Sequence, residues 1–209
     1  MCGRYGFFPE QDAVLQECLR QLKPEERLAA STGVVRPGDT PAVFVMENGA
    51  PAVRLARWGM QAPDRPQMVI NARSETAADK PMFAGALQQG RCLLPASLYY
   101  EWTRRSRSRT RMKVRGGRVT YMAALIRPSA TSPTGTEFAV LTREATGEVR
   151  GLHDRMPLIL PDRLTRRRWL EDETFARLLL KNPPDPPCSV EADEPEQLDL
   201  FAQLDDGEA

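Results

Sequence analysis

The chain has one histidine, and its four cysteines, Cys2, Cys18, Cys92 and Cys188, form no C-x-x-C pair. That excludes a zinc site of ordinary spacing, which draws on paired Cys and His ligands; no metal or other cofactor is expected. No run of about 18 apolar residues exists to span a membrane, and no apolar stretch follows the first residues as a secretory signal requires. The expected location is the cytoplasm, where thiols stay reduced and disulfides are rare. Cys18, in the amphipathic stretch DAVLQECLRQL, and Cys92, in an apolar run, read as core packing. Basic residues are also missing from one region: between Asn182 and Ala209 there are nine acids and no Lys or Arg. The other 19 acids face 29 bases in residues 1–181, a balance of +10 inside a chain whose net charge is only +1. A basic body permits a polyanionic partner without demanding one.

What is present suits one domain with a tail: 209 residues, 41% hydrophobic and 27% charged. Residues 9–23 have helical periodicity, with Val14, Leu15, Cys18, Leu19 and Leu22 on one side. AVFVM, PAVRLARWGM, QMVINARSE, RCLLPASLYYEW and EFAVLTREA read as strands, and MKVRGGRVTYMAAL as a hairpin across Gly116-Gly117. LPDRLTRRRWLEDETFARLLL reads as a helix, with Pro161 suited to a first turn. The composition turns acidic and Pro-rich after KNPPDPP, which predicts a domain over 1–181 and a disordered tail over 182–209. Several short strands, a few helices and no regular β-α alternation predict an α+β domain dominated by curved, barrel-like sheet.

Cys2 follows the first methionine. A small second residue favours methionine removal, and the product is a 1,2-aminothiol. An α-amine has a pKa of about 7.7–8.0, against about 10.4 for lysine, so a useful fraction is neutral near pH 7. A neutral amine attacks an aldehyde to give a Schiff base, and the adjacent thiol closes onto that imine as a five-membered thiazolidine. The plain alternative is an ordinary terminus with a small buried residue. Three polar residues stand out in apolar or turn-rich settings: Asn71 ends a predicted strand, Glu101 interrupts LYYEW, and His153 lies in a loop. Burial raises a carboxyl pKa and fits it for proton transfer near neutrality. Each also has a bland reading: a turn cap for Asn71, an arginine partner for Glu101, a surface position for His153.

MCGRYG, RWGM, INARSET, RCLLPASLYYEW and GLHDRMPLIL, in this order and spacing, closely resemble the SRAP family, the SOS-response-associated peptidases. The likeness covers about residues 1–180. It implies a β-rich α+β fold around a DNA groove, and a monomer associated with the nucleoid that captures abasic sites in single-stranded DNA through its N-terminal cysteine. It implies autopeptidase and abasic lyase chemistry as well. By resemblance, Cys2 supplies amine and thiol, Asn71 holds the cysteine amine or the adduct, Glu101 is the general acid/base, and His153 is a second proton-transfer group or phosphate-side stabiliser. Arg4 and Arg73 resemble phosphate-gripping arginines, and Trp58 and Trp102 aromatic residues that support or stack on bases. Pro37 falls where family members often carry a DNA-wedging proline, although Val34-Val35-Arg36 replaces the asparagine frequent ahead of it.

Two features stand apart from these motifs. The basic stretch from Thr103 to Arg118 either flanks the groove and attracts phosphate or forms a solvated hairpin edge. Gln197-Leu198-Asp199-Leu200-Phe201 stands alone among acids and resembles the peptide by which bacterial proteins dock on the replicative sliding clamp. Its logic is a disordered segment placing Leu and Phe in an apolar pocket; the alternative is that it folds back on its own domain. Two other functions stay open at this point. An N-terminal-nucleophile amidohydrolase also begins Met-Cys-Gly with an amine-activated thiol, though this chain has no room for such an enzyme's partner domain. A non-covalent DNA-binding module would leave the cysteine incidental.

Overall fold

The computed structural model describes residues 2–62, 66–102 and 111–193. Fifteen strands run through them: β1 (Tyr5–Phe7), β2 (Gly33–Val35), β3 (Ala42–Glu47), β4 (Ala50–Leu55), β5 (Arg57–Trp58), β6 (Met60–Gln61), β7 (Met68–Val69), β8 (Asn71–Arg73), β9 (Arg91–Ala96), β10 (Leu98–Trp102), β11 (Arg111–Arg115), β12 (Thr120–Pro128), β13 (Thr136–Glu144), β14 (Arg155–Pro157) and β15 (Ser189–Ala192). The α-helices are α1 (Ala13–Arg20), α2 (Pro24–Ala29), α3 (Ser74–Ala77), α4 (Pro81–Gln89), α5 (Arg163–Glu171) and α6 (Glu173–Lys181). One sheet has the order β15-β11-β10-β1-β2; a larger one runs β14-β13-β12-β9-β3-β4, with β5 and β8 pairing in parallel to β13.

Side chains of a strand alternate between the two faces of its sheet, and here both faces of the larger sheet are covered. Cys92 and Leu94 of β9, Met122 and Ala124 of β12, and Phe138 and Val140 of β13 belong to one core with Tyr5, Phe7, Leu15 and Cys18, from the five-stranded sheet and α1. Their sequence neighbours Leu93, Ala123, Leu125, Ala139 and Leu141 belong to a second core with Phe83, Trp169, Ala176 and Leu179, from the helices. The result is three layers, sheet on sheet on helices. It explains why these strands read as unbroken apolar runs rather than alternating ones.

The two sheets are open, not a closed barrel. RCLLPASLYYEW is two strands, and Ser97 is where the chain changes sheets. The Ser97 amide donates to Gly6 O at 2.8 Å and its Oγ accepts from Phe8 N at 3.1 Å. The expected hairpin across Gly116-Gly117 is absent, because β11 pairs with β10 and β15 whereas β12 pairs with β9 and β13. Gly117 takes φ +126°, a conformation that suits glycine in this second change of sheet. The long C-terminal helix breaks at Asp172, whose carboxylate accepts from Phe175 N at 2.8 Å and caps α6.

The fold also runs past residue 181. Arg143 donates to the carbonyls of Pro183 and Pro184, Thr146 bonds Asp185, Cys188 and Val190 pack on the core, and β15 pairs with β11. A prolyl carbonyl pair caught by a guanidinium is invisible to composition, which is why 182–193 resembles a tail.

Candidate active site at the N-terminal strand

Terminal residues usually fray, but β1 lies between β10 and β2, so the start of this chain is fixed on both sides. Tyr5 pairs with Tyr99, and the Tyr100 amide donates to Arg4 O at 3.0 Å, carrying the register towards the terminus. Cys2 is fully buried between the two sheets. Burial pushes its thiol up to about 12; the Glu101 carboxylate adds to the rise, and the Arg4 backbone offsets part of it. Sγ lies 3.9 Å from Arg4 O.

Asn71 begins β8, which pairs with the centre of β13 at Val140. Its Nδ2 donates to the carbonyl of Cys2 at 2.9 Å, a contact spanning 69 residues. Its Oδ1 is buried with no hydrogen-bond partner among the described residues. Glu101 is buried in β10, and its charge raises the pKa of both Cys2 and Tyr99. The hydroxyls of Tyr5 and Tyr99 are buried and find no hydrogen-bond partner among the described residues. Burial raises both phenols, so they stay protonated.

His153 sits on the turn after a 3-10 helix (Gly147–Gly151) whose Val149 packs in the core that holds Cys2. Its Nδ1 accepts from Arg155 N at 2.9 Å and lies 2.6 Å from Asp154 Oδ1. The first contact needs Nδ1 without a proton and the second needs Nδ1 with one, so this atom has a partner either way. Among the described residues no three His, Cys, Asp or Glu side chains are grouped to hold a metal ion.

The residues expected to meet DNA divide. Arg4 is half-buried with its guanidinium 5.4 Å from the centre of the Trp102 ring, so these two form one cation–π unit. Arg73 is exposed beside Asn71, and Pro37 is half-buried in the turn that bonds to Trp58 through Gly38. Trp58 is fully buried: it stacks on Phe138 with centroids 6.3 Å apart and packs on Tyr5 at 5.5 Å. A base has no access to it, so stacking is ruled out and support remains. Its Nε1 donates to Ile70 O at 3.0 Å, which fixes the backbone just ahead of Asn71. Residues 103–110 of the basic stretch and the peptide Gln197–Phe201 lie outside the described residues. Of that stretch, β11 is an interior strand and not an edge.

One functional pairing was not read from the sequence. Arg155, of HDRMP, holds Glu75, of NARSET, through two hydrogen bonds of 2.6 and 2.8 Å, and its Nη2 also donates to Thr142 O at 2.7 Å. The Arg155 hydrogen bonds keep the Glu75 carboxyl below its usual range. This bidentate pair ties β14, which follows the His153 turn, to helix α3, which follows the strand that carries Asn71. The signal was available as opposite charges inside two motifs, but motif order does not say which motifs touch. By contrast, an open groove of about 670 Å³ between α2, β3 and β4, lined by residues such as Glu26, Glu47 and Arg54, includes none of Cys2, Asn71, Glu101 or His153.

The chain is similar to abasic site processing protein YoqW of Bacillus subtilis, 29% identical over 182 residues that cover 81% of this chain and 80% of that protein. It is 28% identical over 182 residues to abasic site processing protein YedK of Escherichia coli, covering 83% and 81%. The crystal structure of a phage-related protein from Bordetella bronchiseptica superimposes with a TM-score of 0.72 at 25% identity, covering 93% of this chain and 95% of that one. The family model for SOS response associated peptidase (SRAP) matches residues 1–190, and the chain belongs to that family.

Proposed function

We propose that this protein processes abasic sites in single-stranded DNA by covalent capture through Cys2. The observation that carries this reading is the fixing of Cys2: it is fully buried just ahead of β1, which β10 and β2 hold on either side, Asn71 grips its carbonyl, and the charge of Glu101 bears on its thiol. Once Met1 is removed, the neutral α-amine attacks C1 of the ring-opened deoxyribose aldehyde, and Glu101 assists the loss of water that gives the imine. The thiol, kept protonated by burial, then adds across C=N; sulfur bonds to carbon, its proton passes to nitrogen, and a thiazolidine closes. The family match over residues 1–190 favours this reading over the amidohydrolase. The same imine is the entry point to abasic lyase chemistry; autopeptidase activity is the earlier hydrolysis of the peptide bond ahead of Cys2, which frees the amine.

Arg4 with Trp102, and Arg73, supply the phosphate and base contacts that position a strand without reading its sequence. His153 acts as the second proton-transfer group. The tail peptide Gln197–Phe201 is a docking arm for the replicative sliding clamp. Intact-mass measurement before and after incubation with abasic single-stranded DNA tests the core reading. The expected result is a chain lacking Met1 that gains the mass of the DNA as a heat-stable adduct; a correctly processed chain that gains nothing refutes it.

A further inference from the structure

Among the described residues the large apolar side chains that stand exposed are Val14 in α1, Leu28 in α2, Leu164 in α5, Leu178 in α6 and Met68 in β7. The first four lie on helices. Met68 alone lies on a strand, three residues ahead of Asn71. Three residues of extended chain span at most about 11 Å. The Met68 side chain also has a built seat. β7 pairs with β6, with Gln61 as the register partner of Met68. A Cβ added to Gly59 would lie 3.1 Å from both Cβ and Sδ of Met68, and one added to Gly38 would lie 4.0 Å from its Cε. Gly59 also takes φ +120°, so both its backbone and its neighbour call for glycine. The floor under Met68 is fixed: Gly38 N donates to Trp58 O at 2.8 Å and Gly59 N to Phe138 O at 2.8 Å. Met68 therefore lies against backbone on one side and keeps 40% of its surface open on the other.

Taking Cys2 as the point of capture, we infer that Met68 seats a base next to the lesion: its thioether takes the flat face of that base while Asn71 and Cys2 engage the baseless sugar. Charge around the patch selects a nucleic acid strand as the occupant. Arg73, two residues past Asn71, and Arg36, in the turn that carries Gly38, are both exposed. The acids nearby are already engaged, Asp39 by the Arg36 amide at 2.8 Å and Glu75 by Arg155. Cations around an apolar spot suit a strand that presents phosphates and bare bases together. A base beside an abasic site has lost a stacking neighbour and gains most from a new surface. Trp58, adjacent to Gly59, is fully buried and offers none. An unbranched, polarizable thioether packs against any aromatic ring, so the contact reads no sequence, as a lesion binder requires.

The test is a fluorescence titration of the full chain with single strands that carry a tetrahydrofuran analogue of the abasic site. The analogue has no aldehyde, so Cys2 chemistry plays no part. A 2-aminopurine base stands directly before the analogue in one strand and directly after it in another. With the natural chain, binding should change the emission of one of the two reporters. Met68→Ala should weaken binding about threefold to tenfold and erase that change, whereas Met68→Leu, which stays apolar at similar volume, should remain within about twofold. Met68→Trp should bind more tightly and quench the same reporter. The slope of log affinity against log salt should be the same for Met68→Ala as for the natural chain, while Arg73→Ala should flatten it by about 0.7. A Met68→Ala chain that binds as tightly as the natural one, or a natural chain that perturbs neither reporter, would overturn the proposal. So would a flattened salt slope in Met68→Ala, because the loss would then lie in phosphate contacts. A natural chain that perturbs a reporter through Met68 yet never joins a strand with a genuine abasic site would uphold the seat and sink the Cys2 reading alone.

Discussion

Among the described residues two glutamates are almost completely buried, and they bear on different neighbours. Glu137, on β13, receives Arg57 at 2.7 Å, Arg127 at 2.7 and 2.9 Å and the Gln61 amide at 3.1 Å. Burial pushes its carboxyl up, but the Arg127 and Arg57 hydrogen bonds outweigh it and the net shift is down. Such a group is a fixed anion, occupied with holding β5, β6 and β12 together. Glu101, on β10, bears on a buried thiol and a buried phenol, and its charge raises both their pKa values. The difference teaches that burial alone does not say what a carboxylate does; the groups its charge bears on do.

The comparison breaks most sharply at the nucleophile. Cys2→Ala is expected to abolish the heat-stable adduct, whereas Cys2→Ser keeps the amine and should yield only an imine that borohydride must trap; gel analysis with and without reductant reads both. Glu101→Gln should slow adduct formation by about 10²–10⁴-fold, the usual worth of general acid–base catalysis. Glu137→Gln should act on stability instead. It should cost about 3 kcal/mol in denaturant unfolding, the low end for a broken buried ion pair because both arginines keep some exposure, with little change in rate per folded molecule. If Glu137→Gln slows capture as much as Glu101→Gln does, the division between the two is wrong.

pH sharpens the contrast at smaller amplitude. Because the folded-state pKa of Glu137 is lowered, its stabilisation is fully present above the unfolded value of about 4.3 and is lost as pH falls through the folded value. Thermal melts should therefore weaken below about pH 4, less so in Glu137→Gln. Capture should instead rise from pH 6 to 8 as the α-amine loses its proton, with a midpoint of about 7.7–8.0 if the pocket leaves that amine unperturbed. The smallest expected difference separates two truncations: ending the chain after Lys181 removes β15 and should lower the melting temperature, while ending it after Asp193 should not.

Much of this was legible in the residues. Apolar runs gave β9, β12 and β13, and the interruption of LYYEW drew attention to Glu101. Glu137 drew none, though it opens an equally apolar strand, because its arginines lie 10 and 80 positions away. Trp58 left support and base stacking both open, since an aromatic in a short motif looks the same whether its ring faces solvent or Phe138. The two changes of sheet, at Ser97 and Gly116, were hidden for a related reason: an apolar strand does not announce which layer it joins. β15 was masked by composition, as its pairing depends on backbone bonds to β11 and not on side-chain hydrophobicity.

The seating of β1 has a practical side. Anything left attached ahead of Cys2, a purification handle included, keeps the Cys2 nitrogen in an amide, and an amide nitrogen cannot form an imine. Recombinant work on this protein should keep the front of the chain bare, and should judge each preparation by whether its first residue weighs as cysteine.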